Sequence, residues 1–274
     1  MVLDRNDGSA PVTVPEATDF SRVGDRFIQQ TRTEKVSRRI ARLVARHIAE
    51  QHLQPGTSLP AEQLMAQQLG VGRSSIREAL RILEAQGLIT IRPGLGGGPI
   101  VASPDGRDFG ETMTMFLQVL GTPFRQIMDA VVTMEGVAAA GAATRVARGE
   151  VVEIEGLVAA GGLDIEDRVT DAAFISAATG FHDLVRDIGG NDILSLFGEA
   201  VGHIFRERAL VLRNHHWDAE QRRVIRADHI RIATAIKSGK PAKARQLAEE
   251  HMATISEGVE RLFPLLPEEP VDWR

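Results

Sequence analysis

The spacing of apolar residues changes several times along the chain and divides it into segments. Residues 1–30 carry Gly8, Pro11, Pro15 and scattered acids with no period, as expected of a mobile arm. From residue 33 a helical rhythm begins. Val36, Ile40, Leu43, Val44 and Ile48 recur every three or four positions and predict a helix that stops before Pro55-Gly56. Pro60 is placed to open a second helix carrying Leu64, Met65 and Leu69 and ending at Gly70. A third, starting near Gly72 or Arg73, has Ile76, Ala79, Leu80 and Leu83 as its apolar stripe, with Gly87 suited to the left-handed residue after its end. Two short runs rich in β-formers, Leu88–Arg92 and Ile100–Ala102, flank a glycine-rich turn and predict a hairpin.

Three helices followed by a hairpin is the order of a winged helix-turn-helix. It is assigned to residues 31–102, with 103–110 as a linker. Beyond that point no alternating strand pattern occurs. Apolar residues recur at helical spacing through 111–148, 150–160, 166–188, 191–213, 218–238 and 241–263, which predicts an all-helical bundle over 111–265 and a tail at 266–274. The fold class is mainly α: an N-terminal winged helix-turn-helix plus a C-terminal helical bundle.

Charge sharpens this division. Residues 31–107 hold 11 basic against 6 acidic side chains, +5, whereas residues 108–274 hold 18 against 26, −8. A basic segment joined to an acidic one fits a polyanion-binding module attached to a second function. Cysteine is absent, so no disulfide or thiolate metal site can form. No run of apolar residues reaches the roughly 20 needed to span a bilayer, and the N-terminus lacks the basic-then-apolar order of a secretion signal, so a cytoplasmic protein without membrane contact is expected.

The third helix carries the first candidate site. In a helix-turn-helix the second helix of the pair enters the major groove with its N-terminal residues against bases and phosphates. Arg73 and Arg77 lie one turn apart, opposite Ile76, Leu80 and Leu83. Their apolar side can therefore pack inward while both guanidinium groups point out, able to fork onto guanine or clamp a phosphate. Ser74 and Ser75 add small donors. Arg92, beside Pro93-Gly94 in the wing, sets a cation next to backbone that can approach DNA closely. The glycine-rich "GLGGGP" lacks the βαβ surroundings of a nucleotide-binding loop.

Three of the eight histidines share an uncommon placement. His182 falls in line with Ala178, Val185 and Ile188; His229 with Ile225, Ile232 and Ile236; His251 with Ala244, Leu247 and Ile255. Each imidazole thus lies on the core side of its helix, and three such residues in one bundle form a candidate site for zinc or nickel. His203, His215 and His216 are assigned to surface or local packing.

Residues 58–101, "SLPAEQLMAQQLGVGRSSIREALRILEAQGLITIRPGLGGGPIV", resemble the DNA-binding signature of the GntR family of bacterial transcription regulators. The resemblance implies operator contacts by Arg73, Ser74, Ser75 and Arg77, with Gly94 at the wing tip. Gln63 stands where the family usually has an arginine, and Gly72 replaces the usual Ser or Thr before Arg73. "FHDLVRDIGGN", "DHIRIATAIKSGKPAKA" and "AEEHM" are similar to the FCD effector domain of the FadR-like branch. Metal-binding members use an Asp one turn before a first His, then three His; His182, His229 and His251 match the histidines, while Ala178 occupies the Asp position. Asp171 lies about 16 Å further back along its helix, too far to substitute. Val131 occupies a position where many relatives carry a pocket arginine, and Glu135, one turn on, keeps the acidic residue. The effector pocket is therefore expected around Val131, Glu135 and Ala178.

The function expected is a ligand-responsive regulator, a repressor, binding a palindromic double-stranded DNA operator as a homodimer. Its small-molecule effector is expected to be a carboxylic acid that completes a divalent metal's coordination shell. The alternatives are a metal-free bundle that is purely structural or binds an acyl thioester, and a metal-dependent hydrolase with a DNA-binding head. Neither an H-E-x-x-H motif nor a nucleophile signature is present, so no enzyme activity is expected.

Overall fold

The computed structural model describes residues 20, 35–94, 97–103, 106–150, 154–161, 170–208 and 218–272. It divides into two compact units, Met1–Pro104 and Asp105–Arg274. Of the expected N-terminal arm, all but Phe20 lies outside the described residues.

In the first unit α1 (Val36–Glu50), α2 (Glu62–Leu69) and α3 (Arg73–Ala85) precede a hairpin of β1 (Ile89–Arg92) and β2 (Gly98–Val101). Ile40 and Val44 of α1, Met65 and Leu69 of α2, and Ile76, Leu80 and Leu83 of α3 meet in one apolar core, at most 2% exposed. The two strands pair antiparallel, with Ile89 opposite Val101 and Arg92 opposite Gly98. A bridge from Ser58 to Ile100 and the Leu59 N–H donating to the Pro99 carbonyl at 2.9 Å tie the segment before α2 to the wing. Ala61, with ψ 151°, is the N-cap that follows this pairing, so α2 opens at Glu62 rather than at Pro60. Phe20 is fully buried, its ring 4.2 Å from that of His47, which pins one point of the expected arm into this core.

The second unit contains α4 (Gly106–Val119), α5 (Phe124–Ala147), α6 (Glu155–Gly161), α7 (Asp171–Gly189), α8 (Asp192–Arg208), α9 (Ala219–Lys237) and α10 (Pro241–Leu262), then a 3-10 turn at Leu266–Glu268. Helix α5 runs through the centre, packed against α7, α8, α9 and α10. Its Ala138, Ala139, Ala142 and Ala143 are no more than 2% exposed, so small side chains let the neighbouring helices approach. By length and composition α5 could cross a membrane, but half of its most apolar stretch is buried inside this unit, as befits a core helix.

Three further sequence expectations change. The apolar rhythm over 111–148 belongs to two helices, broken at Gly121-Thr122-Pro123, where Pro123 adopts extended backbone at the N-cap of α5. The expected linker is helical from Gly106. The expected tail is packed: Val271 is 1% exposed and donates its N–H to the Thr122 carbonyl at 2.8 Å, while Phe124 donates to that of Glu269 at 2.9 Å.

Candidate functional site

The N-terminal end of α3 stands out from the first unit. Ile76, Ala79, Leu80 and Leu83 face its core, which leaves Arg73, Ser74 and Arg77 exposed and Ser75 half-buried. Gly72 caps the helix with extended backbone and no side-chain bond, leaving the first amides of α3 without a side-chain cap. Arg77 is not free: its Nε and Nη2 donate to Oε2 of Glu62 at 3.3 and 3.1 Å, so a residue at the start of α2 orients a guanidinium on α3. The sequence did not single out Glu62 as a neighbour of this candidate site. Gln63 is also exposed on α2. In the wing, Arg92 and Gly94 are exposed, and Gly94 has φ +99°, which a residue with a side chain would adopt only under strain.

The second site is a cavity of about 220 Å³ within the helical unit. His182 of α7, His229 of α9 and His251 of α10 all line it, and one nitrogen from each lies within 4.8 Å of the others. His229 and His251 are 3% exposed, and their Nε2 atoms face each other at 3.2 Å. Phe181 stacks on His229, with centroids 4.1 Å apart and planes 12° from parallel, fixing that ring. Burial first, then His182 and His251, pushes His229 down to about 2. Burial likewise lowers His251, although nearby Asp228 opposes it. Asp228 Oδ2 lies 3.5 Å from His251 Nδ1, beyond good hydrogen-bond reach, and that buried nitrogen has no hydrogen-bond partner among the described residues.

Glu135 of α5 is 5% exposed and joins two groups: its Oε2 meets His182 Nδ1 at 2.9 Å, and its Oε1 accepts from Arg186. Burial on its own would raise Glu135, but His182 and Arg186 outweigh it and hold the carboxyl below its ordinary value. Arg186 also pairs with Asp183, while its Nε is buried without a partner among the described residues. Val131 and Ala178 line the same cavity, so Glu135, Val131 and Ala178 converge on the three histidines. Asp171 does not join them. It pairs with Arg222 at 2.7 Å. His203 is half-buried beside Gly110, whereas His215 and His216 lie outside the described residues.

Two cavity residues, Arg186 and Arg206, were not anticipated. The Arg206 guanidinium is held below its ordinary value by burial first and by neighbouring Arg186 and Arg107, against the pull of Asp183 and Glu199.

The histidines suit a divalent ion. Zinc–imidazole bonds of about 2.0–2.1 Å put neighbouring ligand nitrogens roughly 3.0–3.4 Å apart, and the His229–His251 pair, at 3.2 Å, already has that spacing. Both imidazoles are held neutral, the form that binds metal. Glu135, 2.9 Å from His182 Nδ1, is a carboxylate of the kind that orients a ligating histidine. Ala178 supplies no oxygen, so a fourth ligand would come from water or from a bound acid.

Comparison with known proteins agrees with both halves. The profile described as "Bacterial regulatory proteins, gntR family" matches residues 36–97, and that of the FCD domain matches 126–254. An HTH-type transcriptional regulator of Mycobacterium tuberculosis is 30% identical over 225 residues, which is 80% of this chain and 87% of that protein. The Glc operon transcriptional activator of Escherichia coli is 24% identical over the same shares. Among solved structures, Streptococcus agalactiae GntR superposes with a TM-score of 0.60 at 21% identity, covering 81% of this chain and 99% of that one, a likeness of fold.

Proposed function

Since this chain belongs to the GntR family and carries an FCD domain, it is a DNA-binding transcriptional regulator and not an enzyme; we propose that it is a repressor whose hold on its operator is released by a small carboxylic acid bound in the histidine cavity. The observation that carries the proposal is the cavity itself. Three imidazoles, a buried carboxylate and two arginines line a space large enough for a small molecule, inside a unit that core packing alone would fill with apolar side chains. His182, His229 and His251 hold a zinc or nickel ion in this reading, and the acid completes its shell where Ala178 leaves an opening. A bound ion of that kind supplies positive charge that attracts and orients a carboxylate.

At the other end, Arg73, Ser74, Ser75 and Arg77 read a half-site in the major groove, and Arg92 and Gly94 follow the backbone. The protein acts as a homodimer in the cytoplasm, because a palindromic operator needs two recognition helices about 34 Å apart and one winged helix binds weakly in cellular salt. Ligand capture couples to DNA through the different affinity of the acid for the operator-bound and free forms.

Selection of duplexes from a random library, followed by anisotropy titrations over a range of salt, tests the DNA half. The expected result is enrichment of a two-fold symmetric site whose affinity falls with salt; no enriched sequence would overturn it. Sedimentation of the protein on that duplex checks for two chains per operator.

A further inference from the structure

We propose that Arg206 is the anion-binding residue of the cavity and that the ligand is a short dicarboxylic acid, one carboxylate on this guanidinium and the other at the imidazole end. This rests on the reading of the cavity as a ligand site and names the chemical class that site accepts.

Most of the charges around the cavity are answered by neighbours. Arg186 is answered by Glu135 and Asp183, and Asp228 lies against His251 and pairs with Arg231 at 3.0 Å. Arg206 is half-buried in the cavity wall and forms no hydrogen bond or ion pair with any described residue. Asp183 and Glu199 act on it only through space. A guanidinium has five N–H donors, and leaving them unanswered in a partly desolvated place is costly.

The local backbone makes room for it. Arg206 sits one turn after Gly202 on α8, and a Cβ at residue 202 would lie 3.2 Å from Nη1, so the guanidinium folds back across the face that glycine leaves bare. Gly202 lines the cavity too. The nearby Arg186 leaves its Nε without an acceptor, adding a second unfilled donor.

Apart from the charged groups and the imidazoles, the lining is largely apolar, with Phe174, Ile175, Phe205, Ile225 and Ile255. A ligand matched to this surface is therefore charged at both ends with a short hydrocarbon middle. A monocarboxylate would leave either Arg206 or the histidine end unanswered. A long acyl chain exceeds a cavity of about 220 Å³.

Isothermal titration of the full-length protein with the diacids from malonate to adipate, each paired with the monoacid of equal carbon number, tests this. The expected result is one favoured diacid that binds about 10-fold or more tighter than its monoacid partner, the loss that follows from one missing charge-assisted hydrogen-bonded contact. Arg206→Gln should bring the two acids to within about 3-fold of each other, and Arg206→Lys, which keeps the charge, should retain part of the preference. Gly202→Ala, which crowds the guanidinium, should weaken the diacid alone. If Arg206→Gln does not fold, the wild-type pairs and Arg206→Lys decide. A monoacid equal to its diacid, a preference that survives Arg206→Gln, or no diacid binding at all would overturn the assignment, even with operator binding intact. An Arg206-dependent diacid preference that leaves operator affinity unchanged would instead support this residue's role and remove ligand control of DNA binding.

Discussion

Acid should destabilise the helical unit through His229, and the size of the effect follows from its burial. The folded imidazole is pushed down to about 2, first by burial and then by His182 and His251, whereas its ordinary value is 6.5. Between these two pH values the unfolded chain takes up a proton that the folded bundle refuses. Stability is therefore complete above about pH 6.5 and is lost as the pH falls below it. At pH 5.5 the unfolded imidazole is protonated about ten to one, so folding loses about 1.4 kcal/mol relative to neutral pH, and a similar amount for each further unit. His251, lowered by the same burial, adds a loss of the same sign. Urea unfolding followed by helical circular dichroism at pH 7.5, 6.5 and 5.5 measures the slope. His229→Gln, whose side chain does not titrate, should lose about 1.4 kcal/mol less than wild type between pH 7.5 and 5.5, whatever its stability at neutral pH. The same pH loss in the variant, or a folded-state His229 resonance titrating near pH 6.5, would refute the reasoning.

Replacing Arg77 with alanine should weaken operator binding by about 1–3 kcal/mol with the circular dichroism spectrum unchanged; equal affinity by anisotropy would remove Arg77 from the contact set. His229→Ala combined with His251→Ala should abolish retention of zinc or nickel, and full metal content by plasma mass spectrometry in that variant would exclude these ligands. Glu135→Gln strips the charge from a carboxylate that answers buried Arg186, so chemical unfolding should report a loss of about 3–5 kcal/mol; a variant as stable as wild type would mean the pair is not formed in solution. Phe20→Ala empties a fully buried site in the first core and should cost about 3–5 kcal/mol there, read from unfolding of the isolated transition of that unit.

Legibility in the sequence followed from how much each residue's neighbours in the chain constrain it. The stripes of α1 and α3 were readable because Ile40, Val44, Ile76, Leu80 and Leu83 each need only a 3.6-residue period to find the core. The three cavity histidines were legible by the same rule, being polar residues on apolar faces. Helix α4 was not. "SPDGRDFG" reads as a loop because glycine usually marks a turn, yet Gly106 and Gly110 are where α4 touches α8. A Cβ at 106 would come within 2.2 Å of Glu199 Cβ, and one at 110 within 3.0 Å of the Ala200 carbonyl oxygen. Such a use of glycine depends on a partner about ninety residues away, which no local pattern encodes. The same holds for the end of the chain, where Val271 is held by Thr122. Glu62 and Arg206 escaped for a related reason: a charged residue on a helix reads as a solvated face until its neighbours are known.

The polar interior of the second unit is better explained by what it holds than by what it stabilises. A buried ion pair such as Glu135–Arg186 offsets its own desolvation poorly, and apolar residues of the same volume usually do as well or better. Buried imidazoles without full hydrogen bonding add to that cost, as His251 Nδ1 does. A chain under selection for stability alone would have little use for this cluster. A ligand changes the balance, since an ion on the imidazole nitrogens and a carboxylate on Arg206 would satisfy groups that the folded chain leaves open. Stability that these groups cost the unliganded fold is then returned on binding, as a differential affinity that a regulator can transmit. A ligand for this cavity should therefore raise the melting temperature of the second unit, and Arg206→Gln should reduce the rise without lowering the melting temperature of the unliganded protein.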